Sequence, residues 1–144
     1  MEEFIRTVGN VYAIKLEENE YAFCRTMEGI SMAFYKWRGK AKQDIPREEV
    51  YEFIVWVNSV PLEENHWELV DIRPFQEDES SEEPLYYKKD ILNKKYYIYK
   101  NDEFYLSTKE ECEGLEVVAI WNEQSIVERL KGDYTFLNFL KATH

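Results

Sequence analysis

Histidine is almost missing from this chain of 144 residues: there are two, His66 and His144. Cysteine is as scarce, with Cys24 and Cys112 far apart and neither in a C-x-x-C pair. Together they offer no zinc-ligand spacing, and no metal or other cofactor is called for. The five glycines are scattered, so neither G-x-G-x-x-G nor a P-loop is present to cradle phosphate. None of the six serines sits in a G-x-S-x-G setting. The longest apolar run, Phe53–Val57, is far too short to cross a bilayer. The start, Met1–Arg6, is acidic and has no apolar core, so it does not read as a secretory signal. These features point to a soluble, cytoplasmic protein with free thiols and no membrane partner.

Basic charge is also short. Lys and Arg number 18 against 29 Asp and Glu, a net charge of −11. Nucleic-acid binding draws its affinity from cations that neutralise phosphates, so this balance argues against it. A basic protein partner would instead be steered toward the chain.

Aromatic and apolar residues are abundant, at 16% and 44% of the chain. That is ample for a core, and the length suits one domain over residues 1–144. The clearest order lies in Val8–Trp37. Three apolar-aromatic runs, Val11–Leu16, Tyr21–Met27 and Ile30–Trp37, are separated by the turn signals Glu17–Glu20 and Glu28-Gly29. In the first run Tyr12, Ile14 and Leu16 share one face, which is period two. Three consecutive antiparallel strands are expected.

Further along, Pro46 invites a short helix over Arg47–Tyr51. Phe53–Val57 reads as a strand buried on both faces in mid-sheet, and a helical turn fits Leu62–Glu64. His66–Ile72 alternates and stops before Pro74. Asn101-Asp102 is the turn of a hairpin joining Tyr96–Lys100 to Glu103–Ser107. Leu115–Trp121 is expected as one more strand. Ser125 and Glu128 form a capping box for a helix that Gly132 ends, and Tyr134–Lys141 suits a final short helix before a frayed His144. The fold class is α+β: a mainly antiparallel, strongly curved β-sheet with short helices, including one or two at the C-terminus. Whether the sheet closes into a barrel stays open.

The order Val8-Gly9-Asn10-Val11-Tyr12-Ala13-Ile14-Lys15-Leu16, then Tyr21-Ala22-Phe23 with Arg25, then Ala33-Phe34-Tyr35, resembles the opening of the immunity protein 26 family. Val55-Trp56-Val57, His66-Trp67, Pro84-Leu85-Tyr86, Asp90–Asn93 and Ile126–Leu130 follow in the family's order. The resemblance implies a bacterial protein that binds a toxin of a polymorphic toxin system and neutralises it by stoichiometric inhibition. It implies no enzyme activity. The cognate toxin would be the partner, a basic nuclease among the candidates, and the oligomeric state is left open.

Two features suit such contact. Glu77–Glu83 is a run of acids and serines that reads as a mobile, solvated loop, and its Glu77, Asp78, Glu79, Glu82 and Glu83 would dock on a basic groove. In the doublets Tyr86-Tyr87 and Tyr96-Tyr97 neighbouring rings point to opposite faces, so Tyr86, Tyr87 and Tyr97 join the candidate interface. Trp37, Trp56, Trp67 and Trp121 read as packing residues. Two other readings stay open. A small hydrolase would need an acid with a raised pKa, or a Cys24–His66 pair, in a deep pocket. A ligand-binding regulatory domain would need a pocket without catalytic groups.

Overall fold

The computed structural model describes residues 5–144. The opening residues 1–4, on which the reading of a non-secretory start partly rests, lie outside the described residues. Among the described residues ten strands form two mostly antiparallel sheets, with four short helices. The first sheet starts as the expected meander: β1 (Asn10–Glu17), β2 (Glu20–Thr26) and β3 (Ser31–Tyr35), followed by β4 (Tyr51–Val57). Between β2 and β3 the chain reverses at Gly29, whose φ of +66° is open to glycine at little strain. β5 (Glu68–Ile72) returns to the far side of β1, and β10 (Ile120–Trp121) lies parallel to β4, giving the order β10-β4-β3-β2-β1-β5. The second sheet holds β6 (Tyr86–Lys89), β7 (Tyr96–Lys100), β8 (Glu103–Ser107) and β9 (Glu116–Val117), in the order β8-β7-β6-β9. Neither sheet closes into a barrel.

Alternation along the meander feeds two apolar layers. Tyr12, Ile14 and Leu16 of β1 turn to one face with Cys24, Met32, Phe34, Phe53 and Val55. That face is covered by Trp67, Trp121 and two helices, α3 (Glu123–Leu130) and α4 (Thr135–Thr143), through Ile126, Leu130 and Leu140. On the opposite face Val11, Ala13, Phe23 and Tyr35 pack under Tyr21, Ile45, Tyr51 and Val70. β2 and β3 are therefore buried almost throughout. Phe34 sits at the centre, stacked on Phe53 at 4.8 Å and edge-on to Trp67 at 6.1 Å.

Several expectations are corrected. Arg47–Val50 is not helical: the Val50 carbonyl accepts from Lys36 N at 2.9 Å, and pairing with β3 claims the chain from Tyr51 onward. β4 is one strand from the edge, with Phe53, Val55 and Val57 buried and Ile54 and Trp56 half-buried. Leu115–Trp121 is not one strand. It splits into β9 in the second sheet and β10 in the first, and so ties the two sheets together. The α3 cap is Asn122, whose side chain accepts from Ser125 N at 2.8 Å, with Ser125 reaching back to Asn122 N. Trp37 is half exposed, and its Nε1 donates to the Asp44 carbonyl at 2.9 Å. The turn helix α1 (Val60–Glu63) forms where expected, whereas α2 (Lys109–Cys112), capped by Thr108, carries no apolar period to announce it.

Phe34→Ala would leave a cavity beneath both Phe53 and Trp67. Chemical denaturation should show a loss of about 3–5 kcal/mol with secondary structure retained below the midpoint.

Candidate functional site

The acidic segment is not a free loop. Arg25, on β2, points to the face away from the helices and is 1% exposed. A guanidinium in that position has lost its water and needs partners on every side. It donates from Nε and Nη2 to the Arg73 carbonyl at 3.1 and 2.5 Å. Its Nη1 donates to Glu79 Oε2 at 2.9 Å and to the Tyr51 hydroxyl at 3.1 Å. The Phe75 ring covers it at 3.6 Å. Burial works against the charge, yet the hydrogen bonds to Glu79 and Tyr51 outweigh it and hold the guanidinium above its ordinary pKa. Arg73 repeats the pattern with Asp71 at 2.6 Å, Glu49 at 3.3 Å and the Pro46 carbonyl at 2.5 Å. The Tyr35 hydroxyl donates to Glu49 at 3.0 Å, and burial raises its pKa. Each carboxylate of this network is paired with a cation, an arrangement that fastens the chain here.

Glu83 is the second fastening. Its Oε2 accepts from Ser31 Oγ at 2.6 Å and from Trp56 Nε1. Ser31 Oγ in turn lies 2.7 Å from the Tyr86 hydroxyl. A side chain at Gly29 would collide with this carboxylate, so that turn also needs glycine for the close approach. The Ser81 carbonyl accepts from Glu28 N at 3.0 Å. The segment thus lies along the end of β2 and β3, pinned at Glu79, Ser81 and Glu83.

From Trp56 a row of aromatic rings runs onto the second sheet. Trp56 meets Tyr86 at 4.9 Å and Tyr99 edge-on at 5.0 Å, and Tyr99 meets Phe104 at 5.1 Å. The cross-strand register explains the row. Tyr86 faces Tyr99, Lys88 faces Tyr97, Tyr99 faces Phe104 and Tyr97 faces Leu106, so all six share one face. Lys88 Nζ sits 4.0 Å over the Phe104 ring. The β7–β8 turn bears positive φ at both Asn101 and Asp102, as the tight hairpin expected there requires. Asp102 accepts from the Tyr99 hydroxyl and Glu103 from the Tyr105 hydroxyl, both at 2.8 Å; those bonds raise both tyrosine pKa values. Phe104, Tyr105 and Leu106 on the edge strand β8 are 44%, 48% and 66% exposed.

The candidate interface residues therefore divide. Glu77, Asp78 and Glu82 are exposed, while Glu79 and Glu83 are engaged within the chain. Tyr86 is 1% exposed and its ring packs inward. Tyr87 turns to the other face, toward the core and Tyr96. Tyr97 lies on the aromatic face, half-buried beside Lys88. Residue reading missed Trp56, Tyr99, Phe104 and Leu106 as one row; carrying the period-two alternation across the Asn101-Asp102 turn would have found the last three. Cys24 is sealed in the core, and burial pushes its thiol pKa up. His66 stands at the surface, with Nδ1 2.6 Å from Glu123. His144 is not frayed but caps α4, its Nδ1 3.1 Å from the Leu140 carbonyl. Both cysteines are free and buried. Among the described residues no helix is long and apolar enough to cross a membrane.

Glu79 carries a pH dependence. The Arg25 hydrogen bond lowers its pKa from the ordinary 4.5, so the folded chain keeps the carboxylate ionised where the unfolded chain takes up a proton. The stabilisation is complete above that ordinary value and is lost as pH falls through the lowered one. Glu79→Gln should reduce unfolding free energy by about 1–2 kcal/mol near neutral pH. Denaturation curves at decreasing pH should show the gap to wild type closing in the acid range.

The family model described as immunity protein 26 matches residues 7–97, which span the first five strands, the pinned acidic segment and β6. No curated protein and no solved structure matches the chain. The match covers well over half of the 144 residues, and the landmark order from Gly9 to Asn93 falls within it. The chain belongs to the immunity protein 26 family.

Proposed function

We propose that this chain, acting as one domain over residues 1–144, neutralises a cognate bacterial toxin in the cytoplasm by binding it stoichiometrically through the outer face and edge of the second sheet. The observation that carries the reading is the aromatic row ending in exposed Phe104 and Leu106, with Asp102 and Glu103 at its turn; Glu77, Asp78 and Glu82 are further exposed acids. Exposed apolar surface on an open sheet edge is a liability unless a partner covers it. Tyr, Trp and Phe are the residues that concentrate binding energy at the centre of an interface, with charges at its rim. The net charge of −11 selects a basic partner, such as a nuclease with a phosphate-binding groove, and accelerates the encounter. Glu83 supports that surface through Trp56, Glu79 is spent on Arg25, and Tyr97 and Tyr99 contribute to the surface directly. The buried Tyr86 packs against Trp56 within the row, while Tyr87 belongs to the opposite face.

Co-expression with the toxin encoded beside it should restore growth, and the two proteins should elute as a one-to-one complex. Phe104→Ala together with Leu106→Ala should weaken that complex by about 2 kcal/mol or more, roughly thirtyfold, mainly through faster dissociation. Asp102→Asn with Glu103→Gln should slow association and flatten its salt dependence. An affinity untouched by the apolar pair would move the interface elsewhere. A toxin shown to be active that is neither bound nor neutralised would overturn the reading for that partner.

A further inference from the structure

The opposite face of the second sheet borders a groove of about 630 Å³, closed by α2 and α4. In a chain this acidic its lining is unexpectedly basic. Lys89 of β6, Lys94 of the β6–β7 loop, Lys109 of α2 and Lys141 of α4 converge on it from four separate elements. The lysine ion pairs among the described residues are made by Lys15, Lys42 and Lys131, and none of these four takes part in one. Arg129, also in the lining, is already committed: it holds Glu116 in a two-pronged pair at 2.9 and 2.8 Å and stacks on Phe53 at 3.8 Å. Glu113, also in the lining, makes no ion pair among the described residues. Four lysines around one concavity give it a positive potential that an anion would neutralise.

The rest of the lining is flat and apolar. Tyr87 and Tyr96 lie side by side with ring centroids 6.4 Å apart and planes 28° from parallel. Ile91 and Leu137 flank the opening, and the buried Cys112 forms part of its floor. The volume matches that of sites for small organic ligands. Lysine binds phosphate as a point charge without demanding a fixed geometry. Four such charges exceed what a single carboxylate neutralises, and tyrosine faces accept a flat ring. Lys89, Lys94, Tyr87 and Tyr96 lie within the matched region, and Lys109 and Lys141 lie beyond it.

We infer that this groove binds a nucleoside polyphosphate, with the phosphates held among Lys89, Lys94, Lys109 and Lys141 and the base lying on Tyr87 and Tyr96. This inference stands on the groove alone and does not depend on the toxin-binding reading. The site is on the face opposite the aromatic row, so both surfaces can be occupied at once.

Calorimetric titration of the full chain with ATP, inorganic triphosphate and adenosine tests it. ATP should bind one-to-one, more weakly as salt rises, and more tightly than either fragment. Lys109→Ala with Lys141→Ala, two exposed positions, should weaken ATP by about tenfold or more while thermal unfolding stays unchanged. Tyr96→Ala should weaken ATP and leave inorganic triphosphate unaffected. Absence of ATP binding at millimolar concentration, or binding indifferent to the lysine pair, would overturn the inference. Triphosphate binding as tightly as ATP would overturn the place given to the base. A poly-glutamate peptide that binds the groove where ATP does not would overturn it in favour of a protein ligand.

Discussion

A full positive charge buried on β2 is the constraint from which much of the molecule follows. Arg25 cannot ionise in the interior without acceptors, and the structure supplies them from three distant stretches: Tyr51 on β4, the Arg73 carbonyl after β5, and Glu79. Removing any one would leave a buried donor without its partner, although Glu49, 3.4 Å from Nη1, stands as a second carboxylate beside the charge. The charge therefore acts as a clamp. It forces the chain after β5 to cross the ends of the meander, and that crossing brings Glu83 against Ser31 and Trp56. Once Trp56 is held, the tilt of its ring sets where Tyr86 and Tyr99 pack, and through them how the second sheet leans on the first.

The second attachment between the sheets is covalent. The stretch Glu116–Trp121 pairs in parallel with β6 and then, after a bend at Val118 and Ala119, in parallel with β4. Val118 N donates to the Tyr87 carbonyl at 2.8 Å, and Asn58 N donates to the Trp121 carbonyl at 3.0 Å. Val117 and Trp121, both buried, plug the space on either side of the bend. The two attachments meet at the same place, since Ile120 pairs with Trp56 and Glu116 pairs with Tyr86. The small sheet, which has little core of its own, is held as a rigid platform with two usable faces.

Sequence patterning reached the elements whose determinants are local. The alternation in Tyr12, Ile14 and Leu16, the positive φ at Asn101 and Asp102, and Gly132 after α3 each act within a few residues, and the expected strands, turn and helix end are present. Long-range choices were beyond it. Strands of two residues, such as β9 and β10, have no period to detect, so a single strand was the natural reading of Leu115–Trp121. Pro46 favours a helix start, but pairing with β3 outweighed that local preference. The acids of Glu77–Glu83 look alike in composition. Which of them meets a buried cation 54 residues away is a property of the fold, and so Glu79 and Glu83 could not be told from Glu77 and Asp78. The same holds for the tyrosine doublets. Alternation says that Tyr86 and Tyr87 face opposite ways, but only the packing of the two sheets says that Tyr86 is the one under Trp56.

The division of labour across the small sheet follows from that alternation. Every residue added to β6, β7 or β8 goes to one face or the other, so the two surfaces can be composed independently. One face collects Tyr97, Tyr99, Phe104 and Leu106 with acids at its turn; the other collects Tyr87, Lys89 and Tyr96 and meets the basic side chains of α2 and α4. The clamp on Arg25 and the landmark residues from Gly9 to Trp67 lie in or beside the first sheet, while Pro84-Leu85-Tyr86 and Asp90–Asn93 carry the family's order into the second. β8, α2 and α4 lie beyond the matched region. A scaffold whose stability resides in one sheet leaves the surfaces of the other free to change without unfolding the whole.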